Sequence, residues 1–312
     1  MNLRLYDRGM EYSRRAVLAM PAAAAAPAAA AAPAAATLPQ VPFGKILVSR
    51  LLVGGNPVSG FSHQSRALDE EMMDYFSAAN VKKLLAQCER AGITAWQSRA
   101  DRHILRLLRE YRNDGGRLDW IAQTATELAD FARNVRDAAA AGAAGIYLHG
   151  ANTDRLWLNQ QRGEIEERLK RIRATGLRTG MATHIPEVID WAEDRGLDLD
   201  FYMTCLYNLS RPHEEALELA GGPVAGEFFY EPDRARMLAR VRKTKKQCIV
   251  FKVYGAGRRC ASREDRLAAL KEVFASAKPG DCVVIGMFPK HADQAAENAQ
   301  LVKEALAPAG GS

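Results

Sequence analysis

Cysteine is scarce in this 312-residue chain, and its number and spacing both exclude possibilities. The five cysteines (Cys88, Cys205, Cys248, Cys260, Cys282) form no C-x-x-C pair. An odd number rules out a fully paired disulfide framework, which leaves most of them as small apolar core residues. Long apolar runs are also missing. No stretch approaches the ~20 residues needed to cross a bilayer, so no stable membrane anchor is expected. No G-x-G-x-x-G follows the first candidate strand, which argues against an open dinucleotide-binding sheet. The formal net charge is +6, but the basic residues are interspersed with acidic ones, and only Arg240–Lys246 forms a compact run. No aromatic-plus-basic module accompanies that charge, so a nucleic-acid partner is not expected.

What is present suits one sizeable soluble domain. Hydrophobic residues make up 48% of the chain and charged residues 26%. The length matches one (β/α)8 barrel of roughly 250 residues plus a short extension. That extension is residues 1–36. Ser13-Arg14-Arg15-Ala16-Val17-Leu18 reads as a twin-arginine signal. A weakly hydrophobic Ala-rich stretch follows, broken by Pro21, Pro27 and Pro33, with Ala34-Ala35-Ala36 as a small-residue cleavage site. The expectation is export by the twin-arginine route to the periplasm, with the alternative of a Pro/Ala tail on a cytoplasmic protein. Residues 37–312 are then the folded domain.

Within that domain, short apolar runs alternate with amphipathic patterns. Eight candidate strands are Arg50–Gly54, Ile93–Gln97, Leu118–Gln123, Gly145–His149, Arg178–Thr183, Asp200–Cys205, Gln247–Tyr254 and Asp281–Met287. Between them Val81, Leu84, Leu85 and Cys88 fall at i, i+3, i+4 and i+7, as do Ile104, Leu107, Leu108 and Tyr111. Ile165, Leu169 and Ile172 repeat the pattern, and so do Leu267, Leu270 and Phe274. This is the period of a helix with one buried face. Gly92, Gly115, Gly176 and Gly196 follow helical runs, where a left-handed cap is wanted. Strand–helix alternation argues for a parallel sheet, and eight units in this length argue for closure into an α/β TIM barrel. An open doubly wound sheet is the runner-up.

Barrel enzymes carry their chemistry at the C-terminal ends of the strands. Here those positions hold Asn56, Gln97, Gln123, Thr124, His149, Thr183, His184, Thr204, Cys205, Tyr207, Asn208, Lys252 and Tyr254, with His63 in the first βα loop. His149, His184 and His63 are the histidines singled out for function; His103, His213 and His291 read as surface or loop residues. Imidazole titrates near ~6.5 and suits acid–base work. His149, His184 and Cys205, on adjacent strands, offer nitrogen and sulfur donors for zinc, but their spacing is no local motif, and no metal is assigned.

The order of several short segments resembles the aldo/keto reductase superfamily. Pro42-Phe43-Gly44-Lys45 with Val48-Ser49-Arg50-Leu51 looks like that family's opening hairpin, which plugs the barrel floor. Leu52-Val53-Gly54-Gly55-Asn56 looks like its first strand, and Ala91-Gly92-Ile93-Thr94 like the approach to the second. Ile146-Tyr147-Leu148-His149 is similar to its fourth strand, Leu206-Tyr207-Asn208-Leu209 with Arg211 to the segment after its sixth. Val284-Ile285-Gly286-Met287 and Glu297-Asn298 look like its last strand and adenine-holding pair. The resemblance implies NADP(H), with Tyr254, Lys290, Glu297, Asn298, Thr183 and Thr204 at cofactor-binding positions, and His149 as the active-site histidine. The rest of the family's catalytic tetrad is replaced. Gln97 stands at the aspartate position, Arg102 at the tyrosine, and Gln123 or Thr124 at the lysine. Ala182-Thr183 replaces the Ser-Asn pair and Thr204 replaces a glutamine. A phenol of pKa ~10 needs a nearby cation to donate a proton at neutral pH, so the family's usual proton relay has no counterpart here.

Three functions remain. The first is an atypical NADP-dependent oxidoreductase acting on a small carbonyl or sugar-type substrate, with His149, His184, Gln97 and His63 as the catalytic set. The second is a cofactor-independent or metal-dependent lyase, isomerase or hydrolase of a sugar derivative. It draws on the polar mouth, on Trp96 and Trp157 for ring stacking, and on Glu227 and Asp233 as acid–base carboxylates. The third is a non-catalytic binding protein on the same scaffold.

Overall fold

The computed structural model describes residues 37–125 and 128–308, so the proposed export segment lies outside the described residues. The chain opens with a two-stranded antiparallel hairpin, β1 (Gln40–Phe43) and β2 (Ile46–Ser49). Eight parallel strands follow: β3 (Leu51–Gly54), β4 (Ala95–Arg99), β5 (Asp119–Gln123), β6 (Gly145–Leu148), β7 (Arg178–Thr183), β8 (Phe201–Cys205), β9 (Gln247–Phe251) and β10 (Cys282–Gly286). Each pairs with the next, and β10 returns to pair with β3, so the sheet closes into a barrel. The helices are α1 (Arg66–Tyr75), α2 (Ala78–Arg90), α3 (Arg102–Asn113), α4 (Phe131–Ala140), α5 (Gly150–Leu158), α6 (Arg162–Arg173), α7 (Pro186–Asp194), α8 (His213–Ala220), α9 (Pro232–Lys243), α10 (Arg263–Ser276) and α11 (Gln294–Leu306).

Strands buried on both faces need apolar side chains throughout, which is why β3 and β10 read as unbroken Leu-Leu-Val and Val-Val-Ile runs. One layer of core lies between sheet and helices. It takes up the helical stripes seen in the sequence, including Val81, Leu84, Leu85 and Cys88 of α2 and Ile104, Leu107 and Leu108 of α3. A second core fills the barrel interior with Leu52, Ala95, Ile121, Phe201, Met203, Ile249 and Val284. Phe43 of the hairpin joins this interior core and meets Phe201 edge-on at 5.1 Å between ring centroids. The hairpin thus closes the barrel floor. Two glycines make room for these rings. A Cβ on Gly145 would stand 3.0 Å from Phe43, and one on Gly180 would stand 2.4 Å from Phe201.

Strand boundaries shift in informative places. The second barrel strand starts and ends two residues later than the sequence pattern suggests, at Ala95–Arg99. The fourth stops at Leu148, because His149 is already the N-cap of α5. The seventh stops at Phe251 rather than Tyr254, because Lys252 takes a left-handed backbone (φ 59°) that breaks the ladder. The anticipated caps Gly92, Gly115, Gly176 and Gly196 all have positive φ. All five cysteines are free thiols, four of them buried and Cys260 half-buried.

Candidate active site at the barrel mouth

A cavity of about 640 Å3 opens at the C-terminal ends of the barrel strands. Pockets of this kind, apolar with a few convergent polar groups, are where small-molecule chemistry concentrates. Its floor is a neutral hydrogen-bonded set. Gln97 Nε2 donates to Tyr147 Oη (2.6 Å) and to Gln123 Oε1 (3.3 Å), and Tyr147 donates to the same Gln123 oxygen (3.1 Å). The three side chains come from β4, β5 and β6, and all are buried. Burial pushes the Tyr147 phenol well above its ordinary value, against a smaller lowering by Gln97, so it is held neutral. His149 lines the cavity beside this floor, with its backbone N–H on Thr124 Oγ1 at 3.1 Å.

The wall is charged. Asp154 sits on α5, one turn after the fourth barrel strand, with its side chain fully buried. Its carboxylate accepts from Thr183 Oγ1, from the His184 backbone N–H (3.0 Å), from His184 Nδ1 (2.6 Å) and from Ser210 Oγ (2.8 Å). A buried carboxylate needs such a set, because an unpaired charge there costs several kcal/mol. Gly150 lets the histidine approach α5, since a Cβ there would lie 3.1 Å from His184 Cε1. Burial pushes the His184 imidazole down. Attraction to Cys205 and Asp154, with the hydrogen bond to Asp154, outweighs that and raises it to about 10. Cys205, at the end of β8, is itself fully buried and outside the cavity lining.

Across the loops, Asn56 Nδ2 donates to His63 Nε2 (3.0 Å), which leaves Nδ1–H to donate to Glu227 (2.8 Å). Burial pushes Glu227 up, but the His63 hydrogen bond and the charges of Lys252 and His184 hold its carboxyl below the ordinary range. Lys252 also lines the cavity, and burial lowers its amine to about 8, against the pull of Cys205 and Glu227. The groups at this wall therefore include a cationic imidazole, an ionised carboxylate and a partly neutral amine.

An outer arm of the cavity runs to α10 and α11. Tyr254 Oη donates to Asn298 Oδ1 (2.8 Å), Asn298 Nδ2 donates to the Gln294 carbonyl (2.7 Å), and Arg266 pairs with Glu297. Tyr254, Arg266, Gln294, Glu297 and Asn298 all line this arm.

The structure therefore gathers His63, Gln97, His149, His184, Tyr254, Glu297 and Asn298 around one cavity. Thr183 and Thr204 are fully buried behind it; Thr183 holds Asp154, and Thr204 Oγ1 has no hydrogen-bond partner among the described residues. Lys290 lies outside the lining and pairs with Glu71 at 2.8 Å. Glu227 reaches the cavity, whereas Asp233 is buried against Arg211 at 2.6 Å. Neither tryptophan lines the cavity: Trp96 is packed in the outer core, and Trp157 lies against Trp191 with centroids 5.5 Å apart. His103, His213 and His291 are exposed. Among the described residues no three His, Cys, Asp or Glu side chains are grouped to hold a metal, so His149, His184 and Cys205 do not form the zinc site considered from sequence. Sequence pattern alone does not mark Asp154, and it marks Lys252 only as a strand-end residue.

No family model and no curated protein matches the chain. Solved structures do. The holo form of an aldo-keto reductase from Bacillus halodurans is similar with a TM-score of 0.51 at 10% identity, over 86% of this chain and 96% of that one. A truncated 3-deoxy-D-arabino-heptulosonate 7-phosphate synthase from Thermotoga maritima has a TM-score of 0.49 at 10% identity, over 86% and 91%. An N-acetylmannosamine-6-phosphate 2-epimerase from Clostridium perfringens has 0.46 at 15%, over 76% and 85%. At these identities the likeness is one of fold. The chain is a TIM barrel with an aldo-keto reductase among its structural neighbours.

Proposed function

We propose that the chain is an enzyme acting on a small carbonyl or sugar-type substrate by acid–base chemistry at the barrel mouth, as a cofactor-independent lyase or isomerase. The observation that carries this reading is the buried Asp154–His184 pair, which opens onto the cavity that Lys252 and Glu227 also line. Such groups have their proton affinities pushed apart by environment, which is how one site runs acid and base steps together. The amide and hydroxyl floor of Gln97, Gln123 and Tyr147 suits recognition of substrate oxygens. Soaking or titrating small polyols and hydroxyketones into the protein, followed by NMR or calorimetry, tests it. Binding that His184→Gln weakens supports the reading; indifference of the cavity to all of them sinks it.

A second reading, NADP(H)-dependent reduction of a similar carbonyl, draws on the outer arm. Tyr254 would lie along a nicotinamide, and Glu297 and Asn298 near an adenine, with the bound cofactor supplying hydride. The fit is partial. Asn298 is already bonded to Tyr254 and Arg266 is ion-paired with Glu297, though Arg266 Nε has no hydrogen-bond partner among the described residues. Titrating NADPH with tryptophan fluorescence separates the two: micromolar affinity favours reduction, and no binding at millimolar concentration leaves the cofactor-independent reading. We also propose export. An Arg14→Lys, Arg15→Lys double variant fused to a reporter should stay in the cytoplasm if the signal is genuine.

A further inference from the structure

Among the described residues, Lys252 is the lysine that lines the cavity. It directly follows β9, at the strand end where barrels carry their chemistry. Lys82, Lys170, Lys246, Lys278 and Lys290 each donate a hydrogen bond to a carboxylate or carbonyl. The Lys252 ammonium has neither hydrogen bond nor ion pair among the described residues. Its close neighbour Glu227 is engaged by His63 at 2.8 Å, and the Phe229 ring centroid lies 5.7 Å from Nζ. The backbone is held at φ 59°, a left-handed conformation that costs a non-glycine residue on the order of 1 kcal/mol and survives only where surroundings impose it. A half-buried, unpaired amine on a strained backbone in a cavity is poor for stability. It is what a nucleophilic amine requires, since only the neutral form attacks.

We propose that Lys252 Nζ is a nucleophile that joins the carbonyl carbon of the substrate as an imine. This rests on the carbonyl-substrate reading above and deepens it. The amine lone pair forms the C–N bond while the carbonyl π electrons move to oxygen, and an amine proton passes to that oxygen to give a carbinolamine. The hydroxyl then takes a second proton and leaves as water, so that the nitrogen lone pair completes an iminium. His184 is the group on this wall held protonated and able to give that proton, and Glu227 is the ionised carboxylate able to accept one from the carbon next to the iminium. Burial lowers the Lys252 amine to about 8, which leaves a usable neutral fraction at neutral pH. Lys252 is the nucleophile; Asp154, whose hydrogen bonds among the described residues go to His184, Thr183 and Ser210, acts by positioning.

The test uses the full chain with dihydroxyacetone as the probe and sodium cyanoborohydride to reduce any imine, read by intact mass and peptide mapping. The expected result is one predominant adduct on Lys252, forming at least about tenfold faster than on other lysines, as a lowered amine pKa dictates. Lys252→Arg, which keeps the charge and stem, should abolish that adduct. Labelling spread over exposed lysines, with Lys252 no faster, overturns the proposal; the wild-type map alone decides this even if the variant misfolds. Calorimetric binding of dihydroxyacetone without an adduct also overturns the imine, while the carbonyl-substrate reading survives. Neither binding nor adduct overturns both.

Discussion

One carboxylate oxygen of Asp154 lies 2.6 Å from His184 Nδ1 and also accepts from Ser210 Oγ at 2.8 Å and from the His184 backbone at 3.0 Å. The other oxygen takes Thr183. An acid on helix α5 thereby ties the C-terminal end of β7 and the loop after β8 to that helix. Replacing it by Asn keeps the shape but presents an amide to donors that need an acceptor. Breaking a buried pair of this kind costs about 3–5 kcal/mol. Urea unfolding of Asp154→Asn at pH 7 should show that loss; a change below about 1 kcal/mol would mean the donors rearrange freely.

His184 binds its proton more tightly in the folded chain than in the unfolded one, having been raised to about 10. A group raised in this way contributes its full stability below the unfolded value, near ~6.5, and loses it as pH climbs through the folded value. Unfolding free energy should therefore fall between neutral pH and pH about 10. Groups facing the ring, namely Asp154, Cys205 and Glu227, modulate that slope. His184→Gln should flatten it, and an unchanged slope in the variant would remove His184 as its source.

Lys252 works in the opposite direction. Its amine is lowered to about 8 by burial, so the folded chain binds fewer protons than the unfolded one between that value and the ordinary lysine range. Charging this group disfavours the fold, and Lys252→Met, which keeps the stem and drops the charge, should stabilise the protein at pH 7. The expected gain is about 1–3 kcal/mol, read as a higher denaturation midpoint. The same variant should lose covalent capture of a carbonyl. A less stable variant would show that the ammonium makes compensating interactions with Cys205 and Glu227.

Much of the architecture was readable in the sequence because helix stripes and doubly buried strands leave periodic signals. Val81, Leu84, Leu85 and Cys88 mark α2 unambiguously, and Val-Val-Ile marks β10. The charged wall of the cavity was only half legible. His184 and His63 stood out by residue type. Asp154, within Asn-Thr-Asp-Arg, reads as a solvated helix face, and only the tertiary fold reveals that this face is buried against β7. Lys252 was hidden for a different reason: a charged residue in an apolar run looks like a strand end, and its backbone strain and missing partner exist only in three dimensions.

The floor offers a separate test of whether the cavity's polarity serves structure or substrate. Tyr147 links Gln97 and Gln123 through hydrogen bonds of 2.6 and 3.1 Å, all three buried, with the phenol held neutral. Tyr147→Phe keeps the ring that fills the barrel interior but leaves the Gln97 amide with only its 3.3 Å bond to Gln123. A buried donor stripped of its better acceptor costs about 1–3 kcal/mol, so the variant should unfold earlier by that amount. Its effect on binding discriminates further. If the glutamines recognise substrate oxygens, their loosened side chains should weaken hydroxyketone binding while Lys252 remains reactive toward the same probe. A variant that loses stability yet binds as tightly as the wild type would make the floor a structural network alone and move substrate recognition to the wall lined by His184 and Glu227.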